Sequence, residues 1–110
     1  MKKLLPILAI AISAVAIPVH GQTRRIPDDA RRAEIGPIDV SHLAVWSQTT
    51  RLAPGTRILD RDNRYITPSA VPDGAVARLR YNNDSSLRDI WLLTDVEISR
   101  TDPQPAWPKP

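Results

Sequence analysis

The chain has 110 residues, no cysteine and a formal net charge of +3, from 15 Lys and Arg against 12 Asp and Glu. At this length one small hydrophobic core is the only option, which excludes two domains or a large catalytic cleft. The lack of cysteine excludes disulfides, thiolate metal sites, thiol nucleophiles and a lipoprotein anchor. Two of the positive charges are the lysines at positions 2 and 3, and residues 38–100 hold eight arginines against eight carboxylates. A neutral folded region does not predict a nucleic-acid partner.

The first residues of the chain predict export. Two lysines precede an apolar run from Leu4 to Ile17, and this run is shorter than the roughly 20 residues that a membrane helix needs. Residues 1–21 are therefore interpreted as a signal peptide, cleaved after Gly21 or alternatively after Ala16; an uncleaved N-terminal anchor is the other interpretation. No later segment is apolar enough to stop transfer, so we expect a periplasmic or secreted protein without a membrane span after signal cleavage.

The segment that follows is charged and broken by turn-forming residues. Residues 22–37 contain Pro27, Gly36 and Pro37. Asp28 can cap one or two helical turns, but a helix of fewer than about 12 residues is marginal in water. We expect residues 22–37 to form a flexible N-terminal arm.

From residue 38 onwards the pattern changes to period two, which is typical of strands. The first strand is expected to place on one face Ile38, Val40, His42, Ala44 and Trp46. Pro54-Gly55 then predicts a type II turn between two extended pieces, because Pro presets the first central residue and Gly accepts a positive φ at the second. Residues 67–71 predict a single helical or 3₁₀ turn, with Thr67 able to cap it and Pro68 at its first position.

The two last strands have the clearest patterns. Residues 75–81 alternate, so that one face holds Ala75, Ala77, Leu79 and Tyr81 and the opposite face holds Arg78 and Arg80. Residues 87–99 are expected to form one long strand, with one face made of Ile90, Leu92, Val96 and Ile98. Trp91 and Leu93 on its other side predict that both faces are covered near the middle.

These elements together predict an all-β fold. Five or six short strands separated by regular turn signals favour a small antiparallel barrel or half-barrel of SH3 or OB size over residues 38–100. Residues 101–110 hold four prolines around Trp107, and such a C-terminal tail cannot join a hydrogen-bonded ladder.

The sequence offers no set of residues for catalysis, for a cofactor or for a metal. His42 is the only histidine after the predicted cleavage site, and its neighbour Ser41 is expected on the opposite face of a strand, whereas a catalytic triad needs convergent side chains. Asp60-Arg61-Asp62-Asn63 begins like a calcium loop, but the glycine and glutamate that such a loop requires are missing further on. Three acidic residues on one predicted strand face, Asp89, Asp95 and Glu97, are too exposed in so small a fold to act as a glycosidase pair. Phosphate-binding glycine motifs do not occur.

A binding surface is the remaining candidate site. Tryptophan, tyrosine and arginine dominate interaction hot spots, and the candidate partner-binding residues are Trp46, Arg78, Arg80, Tyr81, Trp91 and Trp107. The alternative is that the aromatic residues fill the core, because the chain contains no Phe.

Four stretches of the chain resemble a group of small exported proteobacterial proteins. These stretches are Leu52 to Ile58, Asp60 to Ile66, Pro72 to Arg78 and Ile90 to Leu93, within residues 49–93. In that group a short LAPG-x-R-I hairpin precedes a PG-x-x-V strand, and some members are accessory proteins of type IV pilus biogenesis. The resemblance implies a β-barrel and an exported accessory role, and it carries over no functional residue.

We therefore expect a non-enzymatic binding or assembly protein of the bacterial envelope, with a protein partner in the periplasm or envelope and a possible link to pilus biogenesis. One alternative is a small envelope enzyme, or a modulator of a cell-wall hydrolase. Another is the binding of a small oligosaccharide or anionic ligand in a groove of the barrel.

Overall fold

The computed structural model describes residues 24–110, and the predicted signal peptide, residues 1–21, lies outside the described residues. In the described part of the chain the fold is all-β, as the sequence predicts. Its strands are β1 (Arg31–Asp39), β2 (His42–Val45), β3 (Gln48–Leu59), β4 (Ala75–Tyr81) and β5 (Leu87–Leu92). A 3₁₀ helix (Pro68–Ala70) lies between β3 and β4, and a short helix, α1 (Asp95–Ser99), follows β5.

The five strands form one sheet that closes into a ring in the order β1-β2-β3-β5-β4. Strand β1 closes it, because its first half pairs with β4 and its second half with β2. Four of the pairs are antiparallel, but β3 and β5 run parallel to each other, so the prediction of a wholly antiparallel sheet is wrong at this pair. Among residues 24–110, no helix has the length and apolar character needed to cross a membrane.

The core lies inside the ring and is built from alternate residues of every strand. The alternation predicted for β4 is confirmed, since Ala75, Ala77 and Leu79 are at most 6% exposed. Apolar side chains on alternate positions point to the same side of a strand, and burying them is the main favourable term in folding. The buried cluster consists of Ala33, Ile35, Leu43, Val45, Leu52, Ile58, Val71, Ala75, Ala77, Leu79, Leu87, Ile90 and Leu92.

The expected flexible arm over residues 22–37 is wrong where the structure describes it. Residues 31–37 belong to β1, in which Ala33 pairs with Ala77 of β4 and is fully buried. The preceding residues also lie against the sheet, because the Arg78 guanidinium donates to the carbonyl oxygens of Ala30 at 2.8 Å and Pro27 at 2.7 Å. The strand is difficult to recognise in the sequence because charged residues alternate with its few small apolar ones.

The face of the first predicted strand is inverted. The chain reverses direction at Val40 and Ser41, so that the stretch from Ile38 to Trp46 is split between β1 and β2. Leu43 is fully buried and Val45 is 6% exposed, whereas Val40 is 84% exposed. Both faces of this stretch carry apolar residues, and the turn decides which of them meets the core.

The predicted turn at Pro54-Gly55 is a local irregularity inside one continuous strand. Gly55 has a φ of +77° as expected, but β3 runs through it, and the register with β5 shifts between Leu52 and Arg57. This is the behaviour of a β-bulge, which bends a strand without ending it.

The short helical turn is confirmed as the 3₁₀ helix with Pro68 at its start, although the Thr67 side chain makes no capping hydrogen bond.

The long strand predicted over residues 87–99 ends early. Strand β5 stops at Leu92, and α1 begins after Thr94, whose hydroxyl accepts a hydrogen bond from the Glu97 N–H while the Glu97 carboxylate accepts one from the Thr94 N–H. This reciprocal capping box is the sequence signal that ends the strand. Val96, expected beside Ile90 in the core, is 58% exposed.

Candidate functional site

Three of the six predicted partner-binding residues meet at one end of the ring. Trp46, Tyr81 and Trp107 all border one open cavity of about 580 Å³. The turn between β2 and β3 forms one wall, the end of β4 and the β4–β5 loop form another, and the C-terminal segment forms the third. We call this cavity the end cleft; its lining also includes Gln48, Thr49, Thr50, Arg51 and Ser85.

Trp46 is held in the wall of the cleft by an unusual turn. Trp46 and Ser47 have φ angles of +52° and +69°, which is the type I′ geometry of a two-residue hairpin. A bulky residue rarely adopts a positive φ and does so under constraint from its surroundings. Here the Trp46 N–H donates to the Glu34 carbonyl at 2.9 Å, and its indole Nε1–H donates to the Trp107 carbonyl at 3.1 Å.

Trp107 anchors the C-terminal segment in the same place. Its backbone N–H donates to the Arg32 carbonyl at 2.8 Å, and its indole Nε1–H donates to the Leu79 carbonyl at 3.3 Å. The ring meets Tyr81 edge to face, with centroids 5.0 Å apart, and the Arg31 guanidinium carbon lies 4.2 Å from its centroid. The Pro-rich segment forms no strand, as expected, but its tryptophan packs against the core.

Tyr81 contributes a neutral phenol to the cleft. Burial raises the pKa of the Tyr81 hydroxyl, and a hydrogen bond with Thr50 opposes this shift only in part. Because an unperturbed tyrosine has a pKa of about 10, Tyr81 stays protonated at any physiological pH. It can therefore donate a hydrogen bond to a ligand in the cleft as well as accept one.

An ion pair fixes the β4–β5 loop at the rim of the cleft. Asp84 accepts hydrogen bonds from the Ser86 hydroxyl at 2.6 Å and the Ser86 N–H at 3.0 Å, and the Arg51 guanidinium lies 3.1 Å away. These contacts, with Ser86 as the larger cause and Arg51 as the smaller, lower the pKa of Asp84 to about 2. The loop is thus tied both to its own backbone and to β3.

The Asp84 carboxyl is expected to titrate near pH 2 rather than near its ordinary 3.8. Because the folded pKa lies below the unfolded one, the stabilisation from Asp84 is complete above about pH 4 and is lost as the pH falls towards 2. Carboxyl NMR titration measures the midpoint. Ser86→Ala should raise it more than Arg51→Ala does; an equal or reversed order would contradict the assignment of Ser86 as the main cause.

The other three predicted residues have structural roles away from the cleft. Arg78 is 8% exposed and binds backbone carbonyls of residues 27 and 30, and Trp91 is likewise 8% exposed. Arg80 lies between two carboxylates, 3.4 Å from Asp29 and 3.7 Å from Asp89. Trp91 is buried, as the alternative interpretation of the aromatic residues expects, whereas Arg78, expected to face outward, is buried against residues 27 and 30.

The expectation that Asp89 is exposed is wrong, because its carboxylate is buried on the outer face of the sheet. Asp89 is 2% exposed and lies 3.1 Å from the Arg57 guanidinium and 3.3 Å from that of Arg88. The hydrogen bond that the Arg57 side chain donates to the Asp89 carboxylate is the main cause that raises the pKa of Arg57. Asp89 thus joins β3, β5 and β4 by charge, because Arg57 and Arg80 flank it on the neighbouring strands. The only signal of this buried charge in the sequence is that each of the three strands carries an Arg or Asp at the paired positions, Arg57, Asp89 and Arg80.

His42 lies in an exposed polar cluster at the β1–β2 turn. Contrary to expectation, Ser41 is within reach, because it belongs to the turn rather than to the strand. The Ser41 hydroxyl and the Asp39 carboxylate lie 3.0 Å and 2.9 Å from the same ring nitrogen, Nδ1 of His42. A Ser-His-Asp triad uses the two ring nitrogens for separate partners, so this cluster does not have that geometry. The hydrogen bond from the Ser41 N–H is the main cause that lowers the pKa of Asp39, and the hydrogen bond with the His42 side chain is the second cause.

No group of three or more His, Cys, Asp or Glu side chains within residues 24–110 is placed to hold a metal ion. Comparison with known protein families, with curated proteins and with solved structures finds no match to this chain. The end cleft is therefore the candidate site on the strength of its own geometry.

Proposed function

We propose that this protein is an exported, non-enzymatic binding protein of the bacterial envelope, and that it contacts a protein partner through the end cleft. The observation that carries the proposal is the convergence of Trp46, Tyr81 and Trp107 on one cavity of about 580 Å³. Large aromatic side chains in a partly enclosed pocket are typical anchors of protein interfaces. The apolar run near the N-terminus supports export to the periplasm or the medium.

The strand arrangement supports the position of the site. A ring in the order β1-β2-β3-β5-β4, with β3 parallel to β5 and a short helix between β3 and β4, supports the proposal that the fold is a small barrel of the OB type. Such barrels bind ligands on the β2–β3 face and with the β4–β5 loop, and these elements form two walls of the end cleft. Because one fold serves many functions, the likeness to OB barrels supports the place of binding, and the contents of the cleft indicate the ligand.

The contents of the cleft favour a protein partner. The C-terminal segment of this chain already lines the cleft with Trp107, Pro108 and Pro110, and main-chain groups of residues 105–107 are held by hydrogen bonds. The rim offers uncharged donors and acceptors from Gln48, Thr49 and Thr50. Its one arginine, Arg51, is paired with Asp84, so the rim lacks the excess of positive charge that a nucleic-acid partner requires. Four stretches within residues 49–93 resemble a group of small exported proteins, some of which are pilus accessory proteins, and this resemblance favours a partner that takes part in assembly at the envelope.

Site-specific photo-crosslinking tests this function. Thr49, which is exposed and lines the cleft, is replaced by photoreactive benzoylphenylalanine in full-length protein produced in the source bacterium. Val96 is the matched control, because it is also exposed but belongs to α1, outside the cleft. We expect a discrete protein adduct from position 49 that is absent from position 96.

A second variant links the adduct to the aromatic wall. Trp46→Ala in the Thr49-labelled protein removes the indole at the cleft wall and is expected to reduce the adduct yield at least several-fold. Adducts of equal yield from positions 49 and 96, or a position-49 adduct that is insensitive to Trp46→Ala, would overturn the proposal.

A further inference from the structure

We propose that the groove that holds Trp107 is a recognition site for a tryptophan flanked by prolines, and that residues 105–109 occupy it in cis until a partner segment of the same chemistry displaces them. We call this groove the Trp107 seat; it is formed by Arg31, the Arg32 and Leu79 carbonyls, Trp46 and Tyr81. The inference rests on the proposed function, which it deepens by naming the chemistry of the partner segment and how its access is regulated.

The Trp107 seat binds the main chain of residues 105–107 through hydrogen bonds. The Arg31 side chain donates to the carbonyls of Pro105 at 2.8 Å and Ala106 at 3.1 Å. The Trp107 N–H donates to the Arg32 carbonyl at 2.8 Å, and the Trp107 carbonyl accepts from the Trp46 indole at 3.1 Å. Four main-chain groups of a three-residue segment are thus satisfied by fixed groups of the ring. Main-chain hydrogen bonds of this kind give affinity for an extended segment whatever its sequence.

The side-chain contacts select tryptophan. The Leu79 carbonyl accepts from the indole Nε1–H at 3.3 Å, and only Trp combines such a donor with a large ring. Tyr81 packs edge to face against this ring, and the Arg31 guanidinium lies over it at 4.2 Å. Edge-to-face aromatic pairs and cation–π contacts each add to the energy of simple burial. A Phe would keep the ring contacts but leave the Leu79 carbonyl without the indole hydrogen.

The flanking prolines fit a groove with aromatic walls. Prolines at 105 and 108 restrict φ to values near −65°, so that an extended segment loses little conformational entropy when it binds. Grooves lined by aromatic residues recognise proline-rich segments on this basis. Lys109 adds a further contact, since its ammonium nitrogen lies 5.4 Å from the Trp46 ring centroid.

The cis segment can leave without breaking the sheet. Residues 101–110 belong to no strand, and the ring is closed by β1 through pairs with β2 and β4 that do not involve them. A tethered segment competes at an effective concentration in the millimolar range. A partner segment can therefore displace the cis segment only if it binds the seat more tightly, or if the partner gains a second contact in the end cleft.

The test uses the full-length chain with Trp107→Ala, which vacates the seat, and a synthetic peptide with the sequence of residues 102–110. The control peptide has Ala in place of its Trp. Binding is followed in ¹⁵N-labelled protein by the indole N–H signals, where Trp46 reports on the seat and buried Trp91 reports on folding. We expect the Trp peptide to shift the Trp46 signal and the control peptide to leave it unchanged. The wild-type chain should bind about tenfold more weakly, because its own segment competes.

Equal binding of the two peptides, or no binding to a Trp107→Ala chain that keeps its Trp91 signal, would overturn the inference. If that variant does not fold, the wild-type chain is titrated to several millimolar peptide. The Trp107 indole signal should then move to the position of an exposed indole, and an unmoved signal would contradict the inference. If position 49 still gives a crosslinked adduct but the peptide does not bind, the proposed function stands. Only the proposal that the partner presents a tryptophan flanked by prolines is then rejected.

Discussion

Ala33→Asp is expected to prevent folding. Ala33 is fully buried in β1 and pairs with Ala77 of β4, so the new carboxylate would lie inside the ring among apolar side chains. Burying an unpaired charge costs several kcal/mol, and the larger side chain adds strain of about 1–3 kcal/mol. The total is comparable with the 5–15 kcal/mol that stabilises an ordinary domain. Near-ultraviolet circular dichroism and thermal unfolding measure the loss.

Glu34→Ala is the matched control for this prediction. Glu34 is adjacent in sequence but exposed on the outside of β1, and surface substitutions change the free energy of unfolding by about 0.5 kcal/mol or less. If residues 31–37 were an arm detached from the sheet, both variants would unfold like the wild type. Equal stability of the two variants would therefore contradict the closure of the ring by β1.

Leu43→Ala is expected to lower the free energy of unfolding by about 2–5 kcal/mol. Leu43 is among the largest fully buried side chains, and its position on β2 between β1 and β3 means that truncation leaves a cavity between three strands. Removing buried methyl groups costs their transfer free energy and also the energy of the cavity. Chemical denaturation, with the slope compared with that of the wild type, measures the difference.

Val40→Ala distinguishes the two possible faces of this stretch. Val40 is 84% exposed in the turn, and its truncation should change stability by about 0.5 kcal/mol or less. The period-two pattern taken alone predicts the reverse, because it places Val40 inward and Leu43 outward. A larger loss in Val40→Ala than in Leu43→Ala would show that the strand faces the other way.

The all-β class and several local features follow from the sequence. The alternation over β4, the positive φ at Gly55 and the 3₁₀ turn at Pro68 depend on nearest neighbours and on residue-specific backbone preferences. Strand β1 is different. Its inward residues are small or few, and its pairing with β4 joins parts of the chain 40 or more residues apart, which no local pattern records.

The end of β5 shows a conflict between two local signals. Val96 and Ile98 continue the period of Ile90, but Thr94 and Glu97 form a capping box that starts a helix. The cap satisfies backbone N–H groups that would otherwise be left unpaired in the first turn of the helix. A search for the pattern Thr-x-x-Glu would have found this boundary.

The candidate site was predictable in its residue types and not in its location. Tryptophan, tyrosine and arginine indicate binding surfaces, yet they also fill cores and hold loops. In this chain Trp46, Tyr81 and Trp107 line the end cleft, whereas Arg78 and Trp91 are buried. Trp46 and Trp107 are 61 residues apart and meet through an indole hydrogen bond, whereas Arg78 and Trp91 face each other on paired strands. The difference depends on which strand ends come together when the ring closes.

The fold and the candidate site both depend on two contacts: the pairing of β1 with β4, which closes the ring, and the packing of Trp107 against the core. One nuclear Overhauser experiment on the full-length protein tests both contacts. We predict cross-peaks between the backbone protons of Ala33 and Ala77, which are paired in the ladder, and between the Trp107 indole and the Tyr81 ring, whose centroids lie 5.0 Å apart. Random-coil shifts over residues 31–39 together with the absence of both sets of cross-peaks would contradict the closure of the ring by β1 and the packing of Trp107.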